Sequence, residues 1–244
     1  MRIALVTGAS RGIGASIALA MACDDYSLAV TSRNLESLQE ISEQISKRNG
    51  SVYPIQLDVR KPELIGEIIN DIEAKIGPIE VLVNNAGVNI PEAAFDLSVD
   101  QWDEVLDTNL RGLFFCSQAV ARHMRKRGAG KIINISSAAG LRATNDRAHY
   151  GSSKAGLNFL TRNLAFEWAK YNITVNAIAP TFVKTELSEK TLNDPQLHSY
   201  YLEKIPLGRF GTTSDVVNAV KFLASPLSGF ITGITLPVDG GFHL

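Results

Sequence analysis

Cysteine is scarce in this chain: two in 244 residues, Cys23 and Cys116, both within what read as apolar helices. A disulfide framework is thereby excluded, and a reducing compartment suits the protein. No apolar run approaches the roughly 20 residues of a membrane span. No charged, apolar and cleavable leader stands before the first strand, which starts almost at Met1. The expected location is the cytoplasm, with no membrane partner. Charge is equally undirected, since a formal net charge of −1 gives no field toward nucleic acid or an anionic surface. There is no basic–aromatic stripe either, so no nucleic-acid partner is expected. The longest run of one sign, Arg125-Lys126-Arg127, suits the carboxyl end of a helix. Internal repeats, low-complexity tracts and Gly/Ser-rich linkers are all missing.

What is present is an apolar share of 45% beside 20% charged residues, enough for a sizeable core. Short β-branched runs at 3–6, 27–31, 52–57, 81–83, 131–136, 173–178 and 234–238 read as strands, most of them buried and parallel. Pro237 in the last run is tolerable only at an edge or a strand end. Helical periodicity fills the gaps at 13–23, 35–48, 63–76, 99–126, 150–170 and 214–223. Ser98 and Gln101 form a capping box that starts the fourth helix. Repeated β-α-β units without a linker predict one domain over residues 1–244. Its fold class is α/β, a doubly wound Rossmann-type parallel sheet of about seven strands with helices on both faces. One interruption, residues 184–207, is too long for a simple connection and reads as a substrate loop or lid.

TGASRGIG follows the first strand and precedes a helix. Gly8, Gly12 and Gly14 let the backbone turn tightly and approach a pyrophosphate, which the next helix meets with its N-terminal N–H groups. A carboxylate at the end of the second strand would hydrogen-bond the adenosine ribose of NAD. Ser32-Arg33 occupy that place, and Arg11 lies in the glycine loop. Two arginines without a repelling carboxylate suit a 2′-phosphate, so NADP(H) is the preferred cofactor, with NAD(H) as the alternative.

HYGSSK places Tyr150 and Lys154 four residues apart, on one face of a helix. With TGASRGIG, LDV (57–59), NNAG (84–87), TNLRG (108–112), ISSAAG (135–140) and the segments IPLGRFG and TGITLPVDGG, the chain resembles the short-chain dehydrogenase/reductase family along essentially its whole length. The resemblance implies hydride transfer between a nicotinamide and a carbonyl carbon. It implies catalytic roles for Asn109, Ser137, Tyr150 and Lys154. It also implies cofactor contacts at Gly8, Ser10, Arg11, Gly12, Ile13, Gly14, Ser32, Arg33, Asp58, Val59, Asn85, Ala86, Gly87, Tyr150, Lys154, Pro180, Val183 and Thr185, and no metal. PTFVKT (180–185) departs from the family's PGxxxT, because Thr181 stands where glycine is usual. A β-branched residue resists positive φ, so this turn should need none.

The chemistry explains the residue types. A free tyrosine, with a pKa of about 10, exchanges its proton poorly at neutral pH. A lysine ammonium one turn away favours the phenolate. Ser137 can orient the substrate oxygen, although Ser136 is an equal hydroxyl by composition. The backbone carbonyl of Asn109 could hold a water linking Lys154 to solvent. His149, adjacent to Tyr150, diverges from it by about 100° on a helix and is given a structural role.

For the substrate, the EWAK form before the sixth strand and the polar residues Arg142, Thr144, Asn145, Asp146 and Arg147 lean toward a sugar, sugar acid or polyol. The alternative is a 3-oxoacyl-[acyl-carrier-protein] reductase, whose members carry an arginine patch where only Lys170 stands here. A non-catalytic NADP-binding scaffold or sensor is the rival of another class. Ala119, Ala155 and Leu160 read as outer positions of two long helices, and the resemblance implies a homotetramer, with a dimer as the alternative.

Overall fold

The computed structural model describes residues 2–24 and 26–244, apart from the side chains of Leu187, Lys190 and Thr191. Its centre is a parallel sheet in the order β3-β2-β1-β4-β5-β6-β7. The strands are β1 (Arg2–Val6), β2 (Tyr26–Ser32), β3 (Val52–Gln56), β4 (Ile79–Asn84), β5 (Gly130–Ile135), β6 (Ile173–Pro180) and β7 (Thr235–Val238). Chain order reverses between β1 and β4, which opens a crevice at their carboxyl ends. The strands β1, β2 and β6 are buried nearly throughout, as their unbroken apolar runs require when helices cover both faces. Pro54 and Pro237 fall on β3 and β7, the two edges, where a missing N–H costs no ladder bond.

One core layer joins the sheet to α1 (Gly12–Ala22), α2 (Gln39–Ser46) and α9 (Thr213–Ala224). The other joins it to α3 (Pro62–Lys75), α5 (Gly112–Arg127) and α6 (Ala148–Trp168). Arg125, Lys126 and Arg127 do end α5, and Gly128 closes it in the left-handed conformation at φ 68°. Arg127 also pairs with the carboxylate of Glu73 at 2.6 Å, which locks α5 to α3.

Four expectations are corrected. The helix expected at 99–126 is two helices, α4 (Val99–Leu106) and α5, joined by a π turn over Asp107–Arg111. The segment at 184–207 is no loop, because it folds into α7 (Glu186–Asn193) and α8 (Pro195–Leu202). Caps explain both short helices: Thr185 and Ser188 make a capping box, while Asp194 accepts two backbone N–H groups ahead of Pro195. Phe182 packs on Tyr201 with centroids 4.2 Å apart, pinning the pair over a small cluster of Ile205, Phe210 and Phe242. Cys23 sits exposed just past α1, whereas Cys116 is buried and its thiol is pushed up to about 12. Ala119 turns inward to the core instead of outward.

Candidate active site

The crevice between β1 and β4 is clasped by side chains from both. Thr7 Oγ1 accepts the backbone N–H groups of Asn85 and Ala86 at 3.0 and 3.1 Å. The Asn85 amide donates back to the carbonyls of Thr7 and Gly8 at 3.1 and 2.8 Å. Glycine is required where the strands meet: a Cβ on Gly8, at φ +64°, would lie 2.8 Å from Ala86 Cα, and one on Gly14 would lie 2.3 Å from the Gly8 carbonyl oxygen. Gly12, at φ +58°, instead faces the space before Thr185, 3.6 Å from where its Cβ would be. Ile13 packs on the core from the same loop, and Ser10 stays half-buried beside it.

Around this loop lie the groups expected to read the adenosine end. Arg33 is exposed at the end of β2. Ser32 shares a hydrogen bond with Ser37 at 2.7 Å and accepts the Asn34 N–H. Arg11 reaches Glu186 at 3.5 Å across an exposed gap. The Asp58 carboxyl is held below its ordinary range, chiefly by the fork of Arg60, with Arg33 a weaker contributor. Val59 is buried beneath Gly112. Past β6, Pro180 ends the strand, Val183 bridges Gly211, and Thr185 caps α7. Thr181 is not among the residues with positive φ, so this turn avoids the left-handed region.

Deeper in the crevice the carboxyl end of β5 meets α6. Ser136 is buried, donating to Asn158 Oδ1 at 2.6 Å, while the Asn158 amide holds the Gly140 carbonyl. Ser137 turns the other way. Its Oγ accepts the Ala139 N–H and sits beside the Tyr150 phenol, drawing that phenol's pKa down against the larger upward effect of burial. The sequence left the two serines equal; packing separates them.

Lys154 is buried, donates to the Ile135 carbonyl at 2.8 Å, and is lowered by burial to about 8. Its ammonium lies 5.8 Å from the Tyr150 ring centre. At neutral pH it remains mostly protonated. A Cβ on Gly87 would crowd Asn109 Oδ1 at 3.2 Å and touch the lysine nitrogen at 3.7 Å.

Asn109 lies in the π turn, fully buried. Its side chain grips both backbone groups of Val88 at 2.8 Å and donates to Ser153 Oγ at 3.2 Å, and Ser153 in turn donates to the Tyr150 carbonyl. The expectation gave a role only to its carbonyl, so this side-chain grip was missed. Also missed was a buried ladder in which Asn84 donates to Ser117 and Asn134 at 2.8 and 2.9 Å, and Asn134 donates to Thr161 at 2.9 Å. A polar residue at an inward position of KIINIS was the available signal. His149 is 0% exposed, and burial draws its imidazole below the ordinary value. Arg142 is not free for a substrate, because it holds the Phe242 carbonyl and lies over that ring at 4.7 Å.

Ser137, Tyr150 and Lys154 thus lie together beside the glycine-lined crevice. Residues 8–243 match the profile described as enoyl-(acyl carrier protein) reductase, and the chain belongs to the short-chain dehydrogenase/reductase family. It is accordingly an oxidoreductase acting on the CH–OH/C=O couple. The 3-oxoacyl-[acyl-carrier-protein] reductase FabG of Staphylococcus epidermidis is 40% identical over 242 residues, 99% of this chain and 98% of that protein. Gluconate 5-dehydrogenase of Gluconobacter oxydans is 35% identical over 238 residues, 98% of this chain and 93% of its own length. A crystal structure of gluconate 5-dehydrogenase from Burkholderia cenocepacia, in complex with NADP and tartrate, superposes with a TM-score of 0.96 at 35% identity, covering 99% of this chain and 94% of that one.

The burial of Lys154 has a pH signature. Between the folded value near 8 and the ordinary 10.5, the folded lysine binds fewer protons than the unfolded one. Stability therefore rises with pH across that window. Thermal denaturation from pH 7.5 to 10 should show the wild-type protein gaining midpoint temperature relative to Lys154→Met. A difference independent of pH would mean that the folded lysine titrates normally.

Proposed function

We propose that the protein is an NADP(H)-preferring oxidoreductase that interconverts a secondary alcohol and a ketone on a sugar, sugar acid or polyol, within a single domain spanning residues 1–244. The observation that carries the reaction is the meeting of Ser137, Tyr150 and Lys154 where β5 ends against α6. NADP(H), when bound, supplies or accepts the hydride. The cradle fits it: Gly12 holds φ +58° where the loop enters α1, and no carboxylate stands at the end of β2 to oppose a 2′-phosphate on Arg33 and Arg11.

In the reducing direction Tyr150 Oη gives its proton to the oxygen that becomes the alcohol; in oxidation it takes that proton back. The Lys154 ammonium stabilises the phenolate left behind and is placed to hold a ribose hydroxyl. Ser137 Oγ donates to the reacting oxygen and orients it. Asn109, through Val88 and Ser153, fixes the loop after β4 against the first turn of α6. Removing the phenol should cost about 10²- to 10⁴-fold in rate.

A carrier-protein thioester is the second reading, and one feature favours it beyond the FabG likeness. Arg125 and Lys170 both lie over the Tyr171 ring, at 4.7 and 5.2 Å, so the turn before β6 carries more positive charge than its sequence shows. The sugar-type reading is supported by the polar loop between Ser137 and Tyr150 and by the likeness to gluconate 5-dehydrogenases.

We also propose a homotetramer in the cytoplasm, a location with which the absence of a membrane-crossing helix among the described residues is compatible. Outside α5 and α6 runs a groove of about 740 Å³ lined by Phe114, Leu160, Phe166 and Trp168, continuing into one of about 520 Å³ beside Phe159. Phe159 and Phe166 are 62% and 89% exposed, an apolar cost that the same helices of a second copy would remove.

Assays with D-gluconate, sorbitol and an acetoacetyl thioester, each with both nicotinamide cofactors, test the reaction. Turnover of a sugar-type substrate, lost in Tyr150→Phe, is expected; preference for the thioester would establish the second reading, and inactivity on all carbonyl and alcohol substrates would favour a scaffold. NADPH should bind more tightly than NADH, and Arg33→Ala should lose about 10- to 100-fold of that preference, the worth of a charge-assisted phosphate contact. Equal binding of the two cofactors to the unmutated protein would refute the arginine assignment. Light scattering should return a tetrameric mass, and a monomer would contradict the apolar interface.

A further inference from the structure

We propose that Arg147 recognises a carboxylate on the substrate, so that the enzyme takes a sugar acid in preference to a neutral sugar or polyol. The assignment rests on the sugar-type reading above and narrows it.

Arg147 is the N-cap residue of α6, and its side chain makes no capping hydrogen bond. Arginine is not among the residues that cap well, and Ser, Thr, Asp or Asn would satisfy a free N–H there. The first turn also contains no acidic residue. A cation at the positive end of a 21-residue helix is electrostatically unfavourable until an anion joins it. Local stability has been given up at the helix end that carries Tyr150, a pattern that marks function more often than packing.

The guanidinium is half-buried and donates to the neighbouring Asp146 carbonyl at 3.1 Å. Among the described residues no carboxylate lies within ion-pair distance of it. The two other half-buried arginines are satisfied, Arg60 by Asp58 and Arg142 by the Phe242 carbonyl and ring. The acids nearest in the loop are otherwise engaged or turned outward. Glu92 accepts from Ala93 and Gln101, and Asp146 is exposed.

The backbone holds the guanidinium in place. Asp146 takes φ 55°, a left-handed conformation that costs a non-glycine residue energy, and its carbonyl accepts both the Glu92 N–H at 3.1 Å and Arg147. That bond ties the loop after β4 to the loop between Ser137 and Tyr150. On these two loops sit two buried polar atoms without a partner, Asn89 Oδ1 and Thr144 Oγ1. Buried polar groups are ordinarily satisfied, and a polyhydroxylated ligand is one way to satisfy them. Arg147 stands three residues before Tyr150, one turn away at the start of the same helix. A carboxylate held there lies within reach of the reacting centre.

Calorimetric titration of the NADPH-loaded protein with D-gluconate and with sorbitol tests this, since neither alcohol can react with reduced cofactor. The unmutated protein should bind gluconate about tenfold or more tightly than sorbitol. Arg147→Gln should close that gap, and Arg147→Lys should keep part of it, with NADPH binding retained in both as proof of folding. A purely structural role would weaken both ligands by the same factor and preserve the ratio. That result, or equal binding of the two ligands to the unmutated protein, overturns the assignment. If gluconate is turned over and yet the gap survives in Arg147→Gln, Arg147 alone is wrong. If neither sugar binds and only the thioester reacts, the sugar-type reading falls and this assignment falls with it.

Discussion

A primary amine withdrawn from water between a strand and a helix must be given a partner, and Lys154 finds one in the Ile135 carbonyl at 2.8 Å. That bond fixes the carboxyl end of β5 against the first turns of α6. Ser137 follows β5 by two residues and Tyr150 precedes Lys154 by one helical turn, so the same bond sets the distance between the hydroxyl and the phenol. Asn109 and Asn158 hold the two flanks, one through Val88 and Ser153, the other through Ser136 and Gly140. Each of these partners is neutral. A carboxylate paired with Lys154 would have stabilised the charge better but neutralised its effect on the phenol.

The same preference for neutral donors runs through the middle of the sheet. Asn84 and Asn134 face each other across β4 and β5 and reach Ser117 and Thr161 on the covering helices. These bonds specify register and helix placement without the desolvation cost of buried ions. Thr7 and Asn85 do the equivalent across β1 and β4, where the strand order reverses. The crevice therefore has rigid walls on both sides of the expected nicotinamide position, and the more exposed ion pairs, such as Arg11 with Glu186, lie at its rim.

Much of this was legible in the chain. β-branched runs announce the seven strands, and Pro237 suits the edge it occupies. The i, i+4 spacing of Tyr150 and Lys154 survives as a shared helical face, with the ammonium 5.8 Å from the ring. What stayed hidden depends on register or on distant partners. The π turn at Asp107–Arg111 shifts hydrogen bonds by one residue and leaves no compositional trace. The helices α7 and α8 are eight residues each, too short for periodicity to stand out, and their cohesion comes from caps and from Phe182 on Tyr201. Ser136 and Ser137 differ only in which one finds Asn158. Arg142 and Arg147, alike in a polar loop, part company because only one meets Phe242.

The charge around the phenol is one-sided. Arg147 draws the Tyr150 pKa down from one end of the helix turn, Lys154 lies over the ring from the other, and Glu92, the acid nearest that loop, spends its oxygens on Ala93 and Gln101. Burial nevertheless keeps the phenol above its ordinary value. A site with excess positive charge and a protonated donor is arranged for reactions in which negative charge develops on an oxygen between them. Arrival of an anionic group on Arg147 would offset one cation and raise the phenol further, making it a weaker proton donor for reduction and its phenolate a stronger base for oxidation. The balance of the two directions would then be set partly by what the substrate carries at its far end, which couples recognition to the proton step through a single guanidinium.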